Sequence, residues 1–331
     1  MDTMVIEVER NDENKENYST QQLNQITTNI DEVNLDLSNS NMEQLSAVEG
    51  TKSFGLELIE GAGIYEYKWE DIESISQYSS EIYVELKSGE EFVFYTTNHN
   101  LKKVKLKNGE WLEYHKIETQ EEQQEISSNF FLTDKESPDF YLSIPNTDIM
   151  ICKGWTGFKD FFKTVNEIME AINKYPENVK EYLFNLNNFH GYYVTNNLQN
   201  TILGDEVPSS TAAFTWADQF TIIKPSGLFG TNSKEVIAHE IGHVIDYTLE
   251  PDDSKFYSNR TTITALWAAY SIRLSRIQPI TSGYNIIIPN PQEFFACALE
   301  TYIMRPELLL VSIPELYVFF DKMVKSIGKD N

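Results

Sequence analysis

The chain has 331 residues, 51 acidic against 26 basic side chains and a formal net charge of −25. Such a field repels nucleic acid and anionic lipid, so neither is an expected partner. Two widely spaced cysteines, Cys152 and Cys297, make no disulfide framework, and no run approaches the ~18 apolar residues of a membrane span.

The charge is unevenly spread. Residues 1–60 carry 13 acidic and three basic side chains and residues 61–150 carry 18 and eight, so the first 150 residues hold −20 of the −25. Residues 1–52 are rich in Asn, Gln, Glu, Ser and Thr, which predicts a disordered acidic leader. It begins MDTMVIEVERNDENKENYS, with acidic residues where an ordinary signal peptide needs an apolar core. The expected localisation is therefore cytoplasmic, or secreted by a route without a cleavable signal.

From 53 to 118 the runs SFGLELIE, GIYEYKW, EIYVELKSGEEFVFYTT and LKKVKLKNGEWLEYHKI read as alternating strands broken by SGE and NGE turns. Tyr83, Glu85 and Lys87 alternate with Val84 and Leu86, so one face of the sheet is wet. The prediction is a small β-rich domain, faintly similar to pleckstrin-homology-type barrels, with His99 and His115 on its surface. Residues 119–140 predict a polar, acidic linker, and 141–331 a third region. There YLSIPNTDIMICKGW reads as a strand, FKDFFKTVNEIMEAINKYP as an amphipathic helix, and PENVKEYLFNLNNFHGYYVTNN as a helix and a turn holding His190. TAAFTWADQFTIIKPSG is strand-like. Ala212 to Trp216 is the best candidate for an edge on which an extended peptide pairs as an added strand. Trp216 either shapes a substrate pocket or packs on the sheet.

The next stretch, NSKEVIAHEIGHVIDY, is written as a helix. Asn232 with Glu235 resembles a capping box, and Val236, Ile237, Ile241, Val244 and Ile245 form a stripe to be buried. His239 and His243 stand just over one turn apart and project from one face, a spacing that suits two ligands of one zinc ion. Glu240, beside the first, is placed to take a proton from water held at the metal. Gly242 costs a helix interior ~1 kcal/mol, so something is expected to pack closely there. The metzincin extension fails, because Asp246 and Leu249 stand where it needs Gly and His. His99, His115 and His190 lie well upstream, so a carboxylate is the expected third ligand. Asn290-Pro291 is a strong helix start that puts Glu293 in a first turn, where it also suits the helix dipole. NRTTITALWAAYSIRLSRI, residues 259–277, reads as a helix between the two.

HEIGHVID, followed about 50 residues on by PQEFFACALETYI and then RPELL and IPELYVFF, resembles the zinc metalloprotease family of anthrax lethal factor and the Pro-Pro endopeptidases. The resemblance covers roughly 150–328 and is most specific over 235–247 and 289–320. It implies an α+β chain whose last domain is a mostly helical, gluzincin-type metallopeptidase with a small edge sheet. It further implies zinc held by His239, His243 and Glu293, Glu240 as base, and a protein or peptide substrate, proline-containing, in a toxin or effector setting. The family's tyrosine donor to the oxyanion lies seven residues before the glutamate ligand, at Ile286 here. Tyr284 takes that role if NIIIPNP holds a two-residue insertion. Where relatives carry an acidic residue four after the ligand this chain has Cys297, leaving Asp246 and Glu300 to orient a histidine. Two rival readings are an inactive protease-fold protein that binds a partner through its acidic module, and a closed structural zinc site completed by Cys297.

Overall fold

Alternation of buried and exposed side chains along residues 72–116 builds an antiparallel meander. The computed structural model describes residues 43–45, 49–132, 138–197, 212–216, 219–225, 233–250, 256–277 and 288–329. Most of the expected leader, Asn232 and Tyr284 lie outside the described residues. The chain is mixed α/β and divides into two compact units, Met1–Tyr114 and His115–Asn331. Among the described residues no helix is long and apolar enough to cross a membrane.

Over residues 43–116 β1 (Glu43–Leu45), β2 (Ile72–Tyr78), β3 (Glu81–Leu86), β4 (Glu91–Tyr95), β5 (Leu101–Lys105) and β6 (Trp111–Lys116) pair in sequence, each antiparallel to the next. Val84, Leu86, Phe92, Phe94, Val104 and Leu112 are buried, whereas Glu85 is exposed. The SGE and NGE turns close on Gly89 and Gly109, both in the left-handed region at φ 96° and 90°. SFGLELIE departs from its expected strand. It lies in α1 (Glu49–Gly61), which starts inside the expected leader. Gly55, Leu58 and Ile59 are buried at helical spacing, and a Cβ on Gly55 would sit 2.5 Å from Ile75 Cδ1. Burial against the meander therefore selects the helical period over the strand period.

The second unit takes in the stretch expected to be a linker. Residues 120–129 form α2 (Gln120–Asn129), capped by the Thr119 hydroxyl, which accepts from Glu122 N–H at 3.1 Å. Ile126 and Phe130 pack with Cys152, Tyr193, Phe220 and Ile222. The rest of the helix is exposed or half-buried and polar, which is why its composition reads as a linker. The sheet runs β7 (Phe140–Ser143), β8 (Met150–Lys153), β9 (Gly191–Val194), then β11 (Phe220–Ile223) and β10 (Ala213–Trp216). β8, β9 and β11 are parallel, while β7 and β10 run antiparallel to their neighbours. Among the described residues β10 pairs only with β11, so it is an edge.

Helices α3 (Phe158–Ile172), α4 (Glu177–Phe184), α5 (Ser233–Thr248), α6 (Thr261–Ile277), α7 (Pro291–Met304), α8 (Pro306–Ser312) and α9 (Pro314–Ser326) complete the unit. The expected stripe of α5 is buried throughout, from Val236 to Ile245. Gly242 allows α5 to approach α7, because a Cβ there would lie 2.9 Å from Ala296 Cα and 3.3 Å from its carbonyl oxygen. Gly242→Ala gains ~1 kcal/mol of helix propensity, but overpacking against a backbone typically costs ~1–3 kcal/mol. The clash wins because Ala296 cannot yield without moving α7. Calorimetry should show Tm lowered by roughly 2–6 °C, and a raised Tm would mean that the helices are further apart than described.

Candidate metal centre

The first turn of α7 delivers Glu293 to the two histidines of α5. The Asn290 side chain accepts from Glu293 N–H at 2.8 Å and Pro291 follows at the first helical position. Glu293 Oε2 lies 3.3 Å from His239 Nε2, and its Oε1 lies 3.6 Å from His243 Nε2. The two Nε2 atoms are 3.2 Å apart and the rings are nearly perpendicular, at 86°. The ligand atoms of the three residues all fall within 4.8 Å of one another, close enough to hold one metal ion.

Two imidazole nitrogens and a carboxylate gathered in a mostly buried spot are unfavourable unless a positive charge sits among them. Burial opposes the His239 imidazolium, but Cys297, Glu293 and Glu240 outweigh it and hold its pKa well above the usual histidine value. Burial, then the charge on His239, pushes His243 down to about 4. A divalent cation would satisfy the same three groups without protonating either ring, so the donor set fits a metal. Glu240 is buried beside them, and that burial raises its pKa.

Of the two residues expected to orient a histidine, Glu300 is near one and Asp246 is turned elsewhere. Glu300 lies two turns beyond Glu293 on the same face of α7, fully buried, with Oε2 at 3.8 Å from His239 Nδ1. Arg305 stands 3.6 Å from Glu300 Oε1 and, through Nε, 3.6 Å from Glu235 Oε1. Cys297 Sγ is 3.7 Å from the same Nδ1. That nitrogen points away from the cluster formed by Nε2, so Cys297 is not placed to complete a closed site with the other three.

Asp246 instead accepts from the Ser258 N–H at 2.6 Å and its hydroxyl at 2.7 Å, tying the approach to α6 back onto α5. Burial pushes this carboxyl up to about 7, although both Ser258 donors pull it down. A folded pKa above the unfolded one gives stability that is present below the unfolded value and lost as pH rises through the folded one. Asp246→Asn leaves one Ser258 donor unmatched and removes the titration. Thermal melts should show a stability gap between wild type and variant that is widest near pH 4 and narrows by about pH 7. A gap that widens over that range would refute the assignment.

The remaining histidines stay out of the cluster. His115 Nε2 is 2.8 Å from Ser143 Oγ and its ring stacks on Tyr141, His99 meets the edge of Phe54, and His190 N–H donates to the Gln219 carbonyl. Trp216 packs against Phe131 and Phe214 with ring centroids 5.9 Å apart in each case. Phe214 and Trp216 share one face of β10, and Thr215 points to the other. Thr215 was not singled out in the sequence, yet its hydroxyl lies 2.6 Å from Glu240 Oε2. No protein-family model matches the chain, and no curated protein matches it in sequence.

Proposed function

We propose that the chain is a zinc-dependent endopeptidase of the gluzincin type, with His239, His243 and Glu293 as ligands and Glu240 as base. The observation that carries this reading is the convergence of those three side chains from two helices, with Glu240 beside them and, next to it, a strand edge unpaired among the described residues. Three protein ligands of the N, N, O type would leave a bound zinc one coordination position for solvent, the pattern of catalytic rather than structural zinc sites. When bound, zinc supplies Lewis acidity, polarising the scissile carbonyl and making water acidic enough to lose a proton near neutral pH.

Glu240 takes the proton of the attacking water and returns it to the leaving amine. Its burial keeps it out of bulk water, which suits a group that must take a proton and hand it on rather than lose it to solvent. β10 offers main-chain groups on which an extended peptide pairs as a further strand. Tyr284, outside the described residues, is the proposed donor to the developing oxyanion, a role worth ~3 kcal/mol. The substrate class we propose is an extended, proline-containing segment of another protein, cut in a toxin or effector setting.

The test is to expose a lysate to wild type and to Glu240→Gln and to identify new N-termini by mass spectrometry. New termini with wild type alone support the reading. An identical set from both proteins, or none from either, overturns it.

A further inference from the structure

The edge strand and the base are joined by one side chain. We infer that Thr215 is a positioning residue that links peptide pairing on β10 to the carboxylate of Glu240, an inference that rests on the endopeptidase reading. Thr215 Oγ1 lies 2.6 Å from Glu240 Oε2 and 3.0 Å from Thr221 Oγ1. A hydroxyl has one proton to donate. The shorter contact, to the carboxylate, takes it, so Thr221 must donate to Thr215. With Glu240 ionised, as a base must be, the order runs from Thr221 to Thr215 to Glu240, and the Glu240 carbonyl lies farther from the same hydroxyl, at 3.3 Å. Thr221 is fully buried on β11, directly opposite Thr215 in the register, which anchors the far end of the series in the sheet. Glu240 Oε2 is thereby held, and Oε1 is the oxygen left to meet water.

The main chain of the same threonine faces the side of β10 that no described strand pairs with. Hydrogen-bonded and non-bonded pairs alternate along an antiparallel ladder. Lys224 N–H donates to the Ala212 carbonyl at 2.9 Å, which marks 212 and 224 as a bonded pair. Counting along the register, Phe214 with Ile222 and Trp216 with Phe220 are the next bonded pairs. Ala213 and Thr215 therefore turn their N–H and C=O away from β11. The far side of β11 agrees, because the Ile223 carbonyl accepts from the N–H of Thr195, just past the end of β9. A peptide added to this edge pairs with Ala213 and Thr215, and the residue that receives its backbone is the one that holds the base. Fixing the base against a strand that substrate itself extends makes the orientation of Glu240 firmest when a peptide is in place.

Two variants separate the hydroxyl from the shape. Thr215→Val keeps the volume and removes the donor, whereas Thr215→Ser keeps the donor. Both should retain full zinc content. Thr215→Val should lose kcat roughly 10- to 100-fold while KM stays within about twofold, and Thr215→Ser should recover most of that loss. Crystal structures of the zinc-loaded proteins give a readout independent of turnover: Glu240 bonded to residue 215 in wild type and Thr215→Ser, and turned away in Thr215→Val. An unimpaired Thr215→Val, equal impairment in both variants, or loss of zinc overturns the positioning role. A wild type that binds zinc yet cleaves no peptide overturns the endopeptidase reading instead, and the crystal structures still decide whether Thr215 fixes Glu240.

Discussion

Glu240→Gln is expected to keep its zinc and lose peptide hydrolysis by roughly 10⁴-fold, the upper end of what a positioned general base contributes. Glutamine has nearly the same shape, and its amide oxygen can still accept from Thr215, 2.6 Å from the carboxylate in wild type. Glu240 lies outside the set of three side chains that could hold the ion, so its loss should leave metal content unchanged. What disappears is the capacity to accept a proton in a buried place where few other groups can. Metal analysis beside initial rates on a cleaved peptide measures both halves. Retained cleavage in Glu240→Gln excludes the mechanism.

Replacing Glu293 should act on the other quantity. Glu293→Ala removes the one carboxylate among the described residues that meets both Nε2 atoms, at 3.3 and 3.6 Å. Losing a partner that merely orients a ligand typically weakens metal binding by ~10- to 100-fold. Losing a ligand should exceed that, and competition with a chromophoric chelator would show it. The alternative role for Glu293, favouring the positive end of α7, is worth only ~0.3–1 kcal/mol of stability and predicts no change in affinity. Full zinc occupancy in Glu293→Ala would move the third ligand to Asp252, Asp253 or Glu300. The first two lie outside the described residues, and Glu300 faces His239 Nδ1 rather than the cluster.

Much of the cluster was legible because each part carries its own local physics. A spacing of four on a helix fixes the relation of His239 to His243, and Asn290-Pro291 announces the turn that holds Glu293. Gly242 advertised a close neighbour, and Ala296 is that neighbour. Three features were hidden. The run SFGLELIE satisfies both helical and strand periods, and only the packing of Gly55 on Ile75 separates them. α2 buries too little of itself to betray a helix by composition. Thr215 is invisible because a threonine in a strand is unremarkable by propensity, and its meaning depends on a residue 25 positions away. Asp246 and Glu300 were equal candidates for the same reason: sequence gives their helical faces but not what the loop at Ser258 brings back to one of them.

If the chain is the endopeptidase proposed above, the outward-facing amides and carbonyls of Ala213 and Thr215 have a bearing on diet. Groups of this kind grip any polypeptide by its repeating skeleton, whatever its side chains. What they reject is a target whose skeleton is already satisfied within a helix or between sheet neighbours. Turnover of a native protein would then track how readily a tail, hinge or linker peels free of its own fold, so loosening that region in the victim should speed cutting even when the bond itself is untouched.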